Sequence, residues 1–135
     1  MRKIFMILAL GAAAALQGCS DRRVREAADV ADSFITAFFA ADYDKAAALC
    51  SDSMRARVDE SAASVDAISD SLEKAAFLEL SAELEIHAGE IYEMGQDSVI
   101  VDFDIMVPDE LEPMRNSVVV VLDKAADVWK VVGMR

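Results

Sequence analysis

Val99-Ile100-Val101-Asp102-Phe103-Asp104-Ile105-Met106-Val107 is the stretch on which the fold class turns. Successive side chains of a strand point to opposite faces, so the unbroken apolar series at its odd-numbered positions makes one face suited to burial. Asp102 and Asp104 fall on the other face, whose simplest reading is a solvated outer surface. Upstream, Glu83-Leu84-Glu85-Ile86-His87-Ala88 alternates in the same way. Gly89 predicts a bulge or bend after it, because Ile91 is out of phase with Leu84 and Ile86. Gly95-Gln96-Asp97-Ser98 supplies the turn into the central strand, and the acidic loop from Pro108 to Pro113 stops that strand. Met114 to Leu122 and Val128 to Met134 read as two further strands, joined by a turn around Asp123 to Asp127. Connections this short join antiparallel neighbours.

The half of the chain before this sheet is helical. From Val24, apolar residues recur at Ala27, Ala31, Phe34, Ile35 and Phe38, the spacing of one helical face, and this helix is expected to end near Ala41. Asp42 is placed to cap a second helix from Tyr43 through Cys50. Ser51-Asp52-Ser53 suits a break or a new start. A third helix is predicted from about Val58 to Leu80, with Val58, Val65 and Leu72 seven residues apart and Ala62, Ile68 and Ala75 between them. Over so few turns that spacing describes a core-facing stripe, not a coiled coil.

The first nineteen residues have a different grammar. Arg2 and Lys3 precede an apolar, Ala-rich run that ends in Leu16-Gln17-Gly18-Cys19, matching in order and position the signal of a bacterial lipoprotein. Ile4 to Leu16 holds thirteen uncharged residues, short of the roughly 20 that a spanning helix needs. The expectation is cleavage of residues 1–18 and lipidation of Cys19, with residues 19–23 a short charged tether and 24–135 a single domain. Gln17 is a less common choice than a small residue at its place. Resemblance to that class implies diacylglycerol on Cys19 and acylation of its amine, with two or more chains holding far better than one. Ser20, where inner-membrane retention would want Asp, favours the outer membrane, facing the periplasm.

Removing the leader takes Arg2 and Lys3 from 13 basic residues and leaves 11 against 25 acidic ones, a net charge of −14. Such a surface disfavours nucleic acid and anionic headgroups. The 117 residues that follow position 18 suit one domain with one core. With Cys19 lipidated, Cys50 has no disulfide partner. It closes the apolar run Ala46-Ala47-Ala48-Leu49-Cys50, where a cysteine behaves as a small buried apolar residue.

The Phe38-Phe39-Ala40-Ala41-Asp42-Tyr43-Asp44-Lys45-Ala46 junction, the further helices and strands, and the terminal Val128-Trp129-Lys130-Val131-Val132-Gly133 together resemble the nuclear transport factor two-like superfamily (cystatin-like, SnoaL-like). The resemblance covers most of residues 24–134, and its motifs describe fold more than chemistry. It implies an α+β fold in which N-terminal helices pack on a curved antiparallel sheet of about four strands, forming a cone whose open end often makes a pocket. It also implies two kinds of function. One is a non-catalytic domain that binds a small hydrophobic ligand or an envelope protein, or pairs with a second copy through the sheet. The other is a ketosteroid-isomerase-like or SnoaL-like isomerase or lyase.

Proton-transfer chemistry needs a carboxylate base in an apolar pocket and a hydroxyl to stabilise the developing enolate. Asp102 or Asp104 are the candidate bases and Tyr92 or Tyr43 the candidate donors, although none maps onto a catalytic motif of those enzymes. His87, the sole histidine, shares its strand face with Glu83 and Glu85 and reads as exposed. One histidine among scattered carboxylates lacks the compact ligand set of a zinc site, and neither Asp97, Asp102 and Asp104 nor Asp109, Glu110 and Glu112 forms a calcium loop. No metal or cofactor is expected. Phe34, Phe38, Tyr92, Phe103 and Trp129 are the candidate pocket or core residues. The run Val118-Val119-Val120-Val121-Leu122 suggests burial on both faces, by helices on one side and on the other by a partner or by an intramolecular cover.

Overall fold

The computed structural model describes residues 18–135. Four helices, α1 (Gly18–Phe39), α2 (Tyr43–Ala48), α3 (Asp52–Asp66) and α4 (Ser71–Glu83), precede four strands, β1 (Glu85–Glu93), β2 (Ser98–Met106), β3 (Met114–Asp123) and β4 (Val128–Met134). The strands form one open antiparallel sheet in the order β1-β2-β3-β4. This is the expected α+β arrangement, consistent with a cone-like fold.

The sheet's inner face is built by alternation. Val99, Val101, Phe103 and Ile105 of β2, Val118 and Val120 of β3, and Trp129 and Val131 of β4 are all buried. Ala27, Ala31, Phe34 and Ile35 of α1 close over them, and α1 touches every strand. A bulge lies between Ala88 and Ile91. Gly89 permits it, because a Cβ at that position would stand 3.3 Å from the Asp102 carbonyl oxygen. The α2–α3 junction runs beside β4, with Ser51 N–H donating to Val131 O (2.9 Å) and Val131 N–H to Leu49 O (2.8 Å). Those bonds pair part of an otherwise open sheet edge.

Helix boundaries follow local capping chemistry. The α1 helix ends in a Schellman motif, Ala41 N–H donating to Phe38 O and Asp42 N–H to Ala37 O. Ala41 takes the left-handed conformation there, at φ 62°, where glycine is the usual residue. Asp42 caps α2 as expected, accepting from Lys45 N–H, and Ser51 caps α3 by accepting from Met54 N–H.

One expectation is corrected. The single helix expected over 58–80 is two helices, parted at residues 67–70. Asp70 takes an extended conformation and its carboxylate accepts from Leu72 and Glu73 N–H, which starts α4 afresh. Leu72, taken as the third member of a core stripe, is 81% exposed. Residues 19–23 lie in the first turns of α1.

The N-terminal part of α1 is tied to both hairpins through Asp97. Arg23 Nη2 lies 3.0 Å from Asp97 Oδ1 and also donates to Gln96 O, while Lys124 Nζ lies 3.0 Å from Asp97 Oδ2. The hydrogen bond from Lys124, reinforced by Arg23, holds the Asp97 carboxyl below the ordinary carboxylate range. A carboxyl lowered in the folded state stabilises it above the unfolded pKa, and that contribution is lost as pH falls through the lowered folded value. Asp97→Asn should therefore lower the melting temperature at neutral pH, with the difference from wild type closing as pH drops below the carboxylate range. Thermal melts across pH measure this, and a difference independent of pH would exclude the ion-pair origin.

Candidate functional site

A cavity of about 450 Å³ opens where the C-terminal end of α1 meets α3, α4 and the nearby ends of the sheet. Phe38 and Phe39 come from α1 and Tyr43 from the start of α2. Val65 comes from α3, and Phe77 and Leu80 from α4; Leu84, Val107 and Met114 close the strand side. The Schellman turn after α1 brings Tyr43 back onto Phe38, ring centroids 5.7 Å apart and edge to face. Phe38 also stacks on Phe34 at 5.8 Å and meets Phe39 edge to face at 5.4 Å. Such contacts fix a rigid aromatic wall.

Three serines interrupt the apolar lining. Ser61 Oγ donates to Arg57 O (3.3 Å), Ser64 Oγ to Glu60 O (3.0 Å) and Ser81 Oγ to Phe77 O (3.0 Å). Each hydroxyl proton is spent inside its own helix, and only lone pairs remain for a ligand. Burial pushes the Tyr43 phenol above its ordinary pKa, so it stays a neutral donor. Among the described residues, none lining this cavity is charged. A wall of this kind can solvate an uncharged apolar body and has no base with which to take a proton from it.

The α4 helix is the least anchored wall. It has no buried residue, and it exposes Leu72, Phe77, Leu78 and Leu80 in part or almost wholly. A helix with so little core contact belongs to the low-stability end of a fold, where segments open first.

On the opposite side, Phe38, Ser61 and Ser64 are shared with a smaller cleft of about 300 Å³, which Met54, Arg57, Glu60 and Met134 complete. Both spaces border one stripe of α3. Arg57, Ser61 and Ser64 stand at i, i+4 and i+7, a single helical face.

The candidates from sequence are scattered. Phe38 lines both spaces, whereas Phe34 and Phe103 are fully buried beneath them in the core. Trp129, 5% exposed, is a core residue beside Arg23, Gln96 and Val99 at the hairpin end. Tyr92 is neither pocket nor core: it stands 44% exposed on the outer sheet face and donates to Glu90. That hydrogen bond, with lesser help from burial and nearby carboxylates, pushes its phenol up to about 12. The bulge after Ala88 turns Ile91 toward the inner register opposite Val101 and so sends Tyr92 outward.

Asp102 and Asp104 also lie on the outer face, each already engaged. Ser117 Oγ donates to Asp102 Oδ1 (2.6 Å), and Arg115 Nε to Asp104 Oδ1 (3.0 Å). His87 is exposed beside Glu85 and pairs across the ladder with Asp104. No group of three or more His, Cys, Asp or Glu among the described residues is placed to hold a metal ion. Cys50 is buried, with its thiol donating to Ala46 O (3.2 Å). Desolvation pushes that thiol up to about 11, Asp59 adding to the shift and Arg55 opposing it, which leaves it a packing residue.

Val119 and Val121 take the outer face of β3, partly exposed, while Val118 and Val120 face the helices. The Val-rich run is thus covered by helices on its inner side, with no described helix packed on the outer one. Among the described residues no helix is long and apolar enough to cross a membrane. Residues 1–17 of the expected 1–18 leader, and the Cys19 side chain, lie outside the described residues.

Sequence reasoning missed the α4 wall, with Phe77 and Leu80, and the strand-end residues Val107 and Met114. The available signal was Asp70 as a helix cap, followed by a helix with more apolar positions than one buried stripe requires. Comparison with protein-family models, with curated proteins and with solved structures finds no match to this chain.

Proposed function

We propose that this chain is a lipid-anchored protein of the bacterial envelope whose cone-like domain binds a small apolar molecule, without transforming it, in the cavity beneath α4. The observation that carries the reading is the uncharged aromatic and aliphatic lining of a space of about 450 Å³, within the range of small-molecule sites. The isomerase or lyase reading is weaker on the same geometry. Its candidate bases, Asp102 and Asp104, are bound to Ser117 and Arg115 on the far side of the sheet.

Dodecan-1-ol is a suitable neutral probe, measured by equilibrium binding to the full chain in phospholipid nanodiscs against empty nanodiscs. Ser81→Trp, which places an indole in the cavity from α4, should weaken binding at least about tenfold, the loss expected when a ligand's apolar contacts are excluded. Ser64→Phe from α3 should do the same, with circular dichroism confirming that both variants fold. Unchanged affinity in folded Ser81→Trp and Ser64→Phe would place binding elsewhere and reject the proposal.

A further inference from the structure

Among the described residues, Arg57 is the one cation on the wall of either space. Its guanidinium makes only two long contacts, Nη2 to Met134 O at 3.4 Å and Nη1 to Met54 Sδ at 3.7 Å. Arginine carries five donors in a planar fork, and on this exposed side chain most of them face solvent, with no partner among the described residues. Among the described residues it has no ion-pair partner, whereas Arg23, Arg55, Lys74, Arg115, Lys124 and Lys130 are each paired with a carboxylate. In a chain with 25 acidic residues, an arginine left without a carboxylate beside an apolar cavity is a site for one supplied from outside.

The stripe Arg57, Ser61, Ser64 orders the arrangement. The helix rises 1.5 Å per residue, so the Arg57 backbone lies about 6 Å along α3 from that of Ser61, where the apolar lining begins. A molecule with a long apolar body and one terminal acid would place its body among Phe38, Val65 and Phe77 and its head in the Arg57 cleft. Glu60 shares that cleft. A singly charged carboxylate can turn both oxygens to the guanidinium fork, at a smaller desolvation cost than a doubly charged phosphate.

We infer that the ligand class of this cavity is a single-chain carboxylic acid, its chain in the space beneath α4 and its carboxylate on Arg57. The inference rests on the proposed binding role of the cavity and adds the head group. Dodecanoate and dodecan-1-ol, equal in chain length, separate the two at pH 8, where the acid is ionised. In nanodiscs, the full chain should bind dodecanoate about tenfold more tightly than dodecan-1-ol, the scale of one charge-assisted hydrogen-bonded pair. Arg57→Gln should remove that preference, bringing dodecanoate and dodecan-1-ol to similar affinities, while Arg57→Lys, which keeps the charge, should retain part of it. Dodecyl phosphate should bind more weakly than dodecanoate. Equal binding of acid and alcohol by the wild-type chain, or a preference that survives Arg57→Gln, would overturn the head-group assignment alone. Failure of both probes to bind would overturn the cavity reading with it.

Discussion

Replacing Phe103 by alanine should destabilise the domain by about 3–5 kcal/mol, the usual range for removing a fully enclosed phenylalanine. Phe103 is 0% exposed and sits on β2, flanked by β1 and β3, with Ala88 opposite on one side and Asn116 on the other. The small Ala88 leaves room for the ring, and removing the ring leaves a void at the middle of the helix–sheet interface. Domains of this size have about 5–15 kcal/mol in total, so a substantial part of the fold's stability depends on this residue. Phe77→Ala is the informative comparison. Phe77 is 38% exposed and borders an existing cavity, so its loss removes little enclosed packing and should cost roughly 1 kcal/mol or less. Denaturant titrations with matched slopes provide both numbers. Similar losses for the two variants would mean that α4 is packed as firmly as the sheet's inner face, contrary to its lack of buried residues.

The contrast between those phenylalanines explains what the sequence could reveal. Phe103 is legible because the alternation from Val99 to Ile105 is a property of neighbouring residues, and burying one strand face needs nothing more. The Ala27, Ala31, Phe34 and Ile35 stripe of α1 is legible for the same reason at a helical period. Phe77 is not, because Val58, Val65 and Leu72 keep a seven-residue spacing straight through residues 67–70 and conceal the break. The competing interaction is a local one: Asp70 captures two backbone N–H groups at the start of α4. Tyr92 was misplaced by a change of phase. Counting in twos from Leu84 and Ile86 puts it inside, and the extra residue at the Ala88–Ile91 bulge puts it outside. The cavity is the least legible feature of all. Its walls come from residues 38 to 114, and periodicity distinguishes buried from exposed positions without telling a filled interior from a hollow one.

Cys19→Ser should abolish lipid attachment completely while leaving the cavity's affinity for dodecan-1-ol within about twofold of wild type. The first half follows from chemistry: a thioether to diacylglycerol needs the cysteine sulfur, and serine has none. Each buried methylene is worth about 0.8 kcal/mol, so losing two or more chains changes a durable attachment into a weak one. Intact-mass measurement of the envelope protein is the readout, and a wild-type product without added acyl mass would reject the lipoprotein reading. The second half follows from the fold. Cys19 lies at one end of α1 and Phe39 at the other, about 30 Å apart at 1.5 Å per residue. The tie of Arg23 to Asp97 belongs to the Cys19 end, and the aromatic wall around Phe38 belongs to the far end. At that separation a change at Cys19 is not expected to alter the cavity, and a large loss of dodecan-1-ol affinity in Cys19→Ser would show that the bound lipid itself reaches or shapes the site.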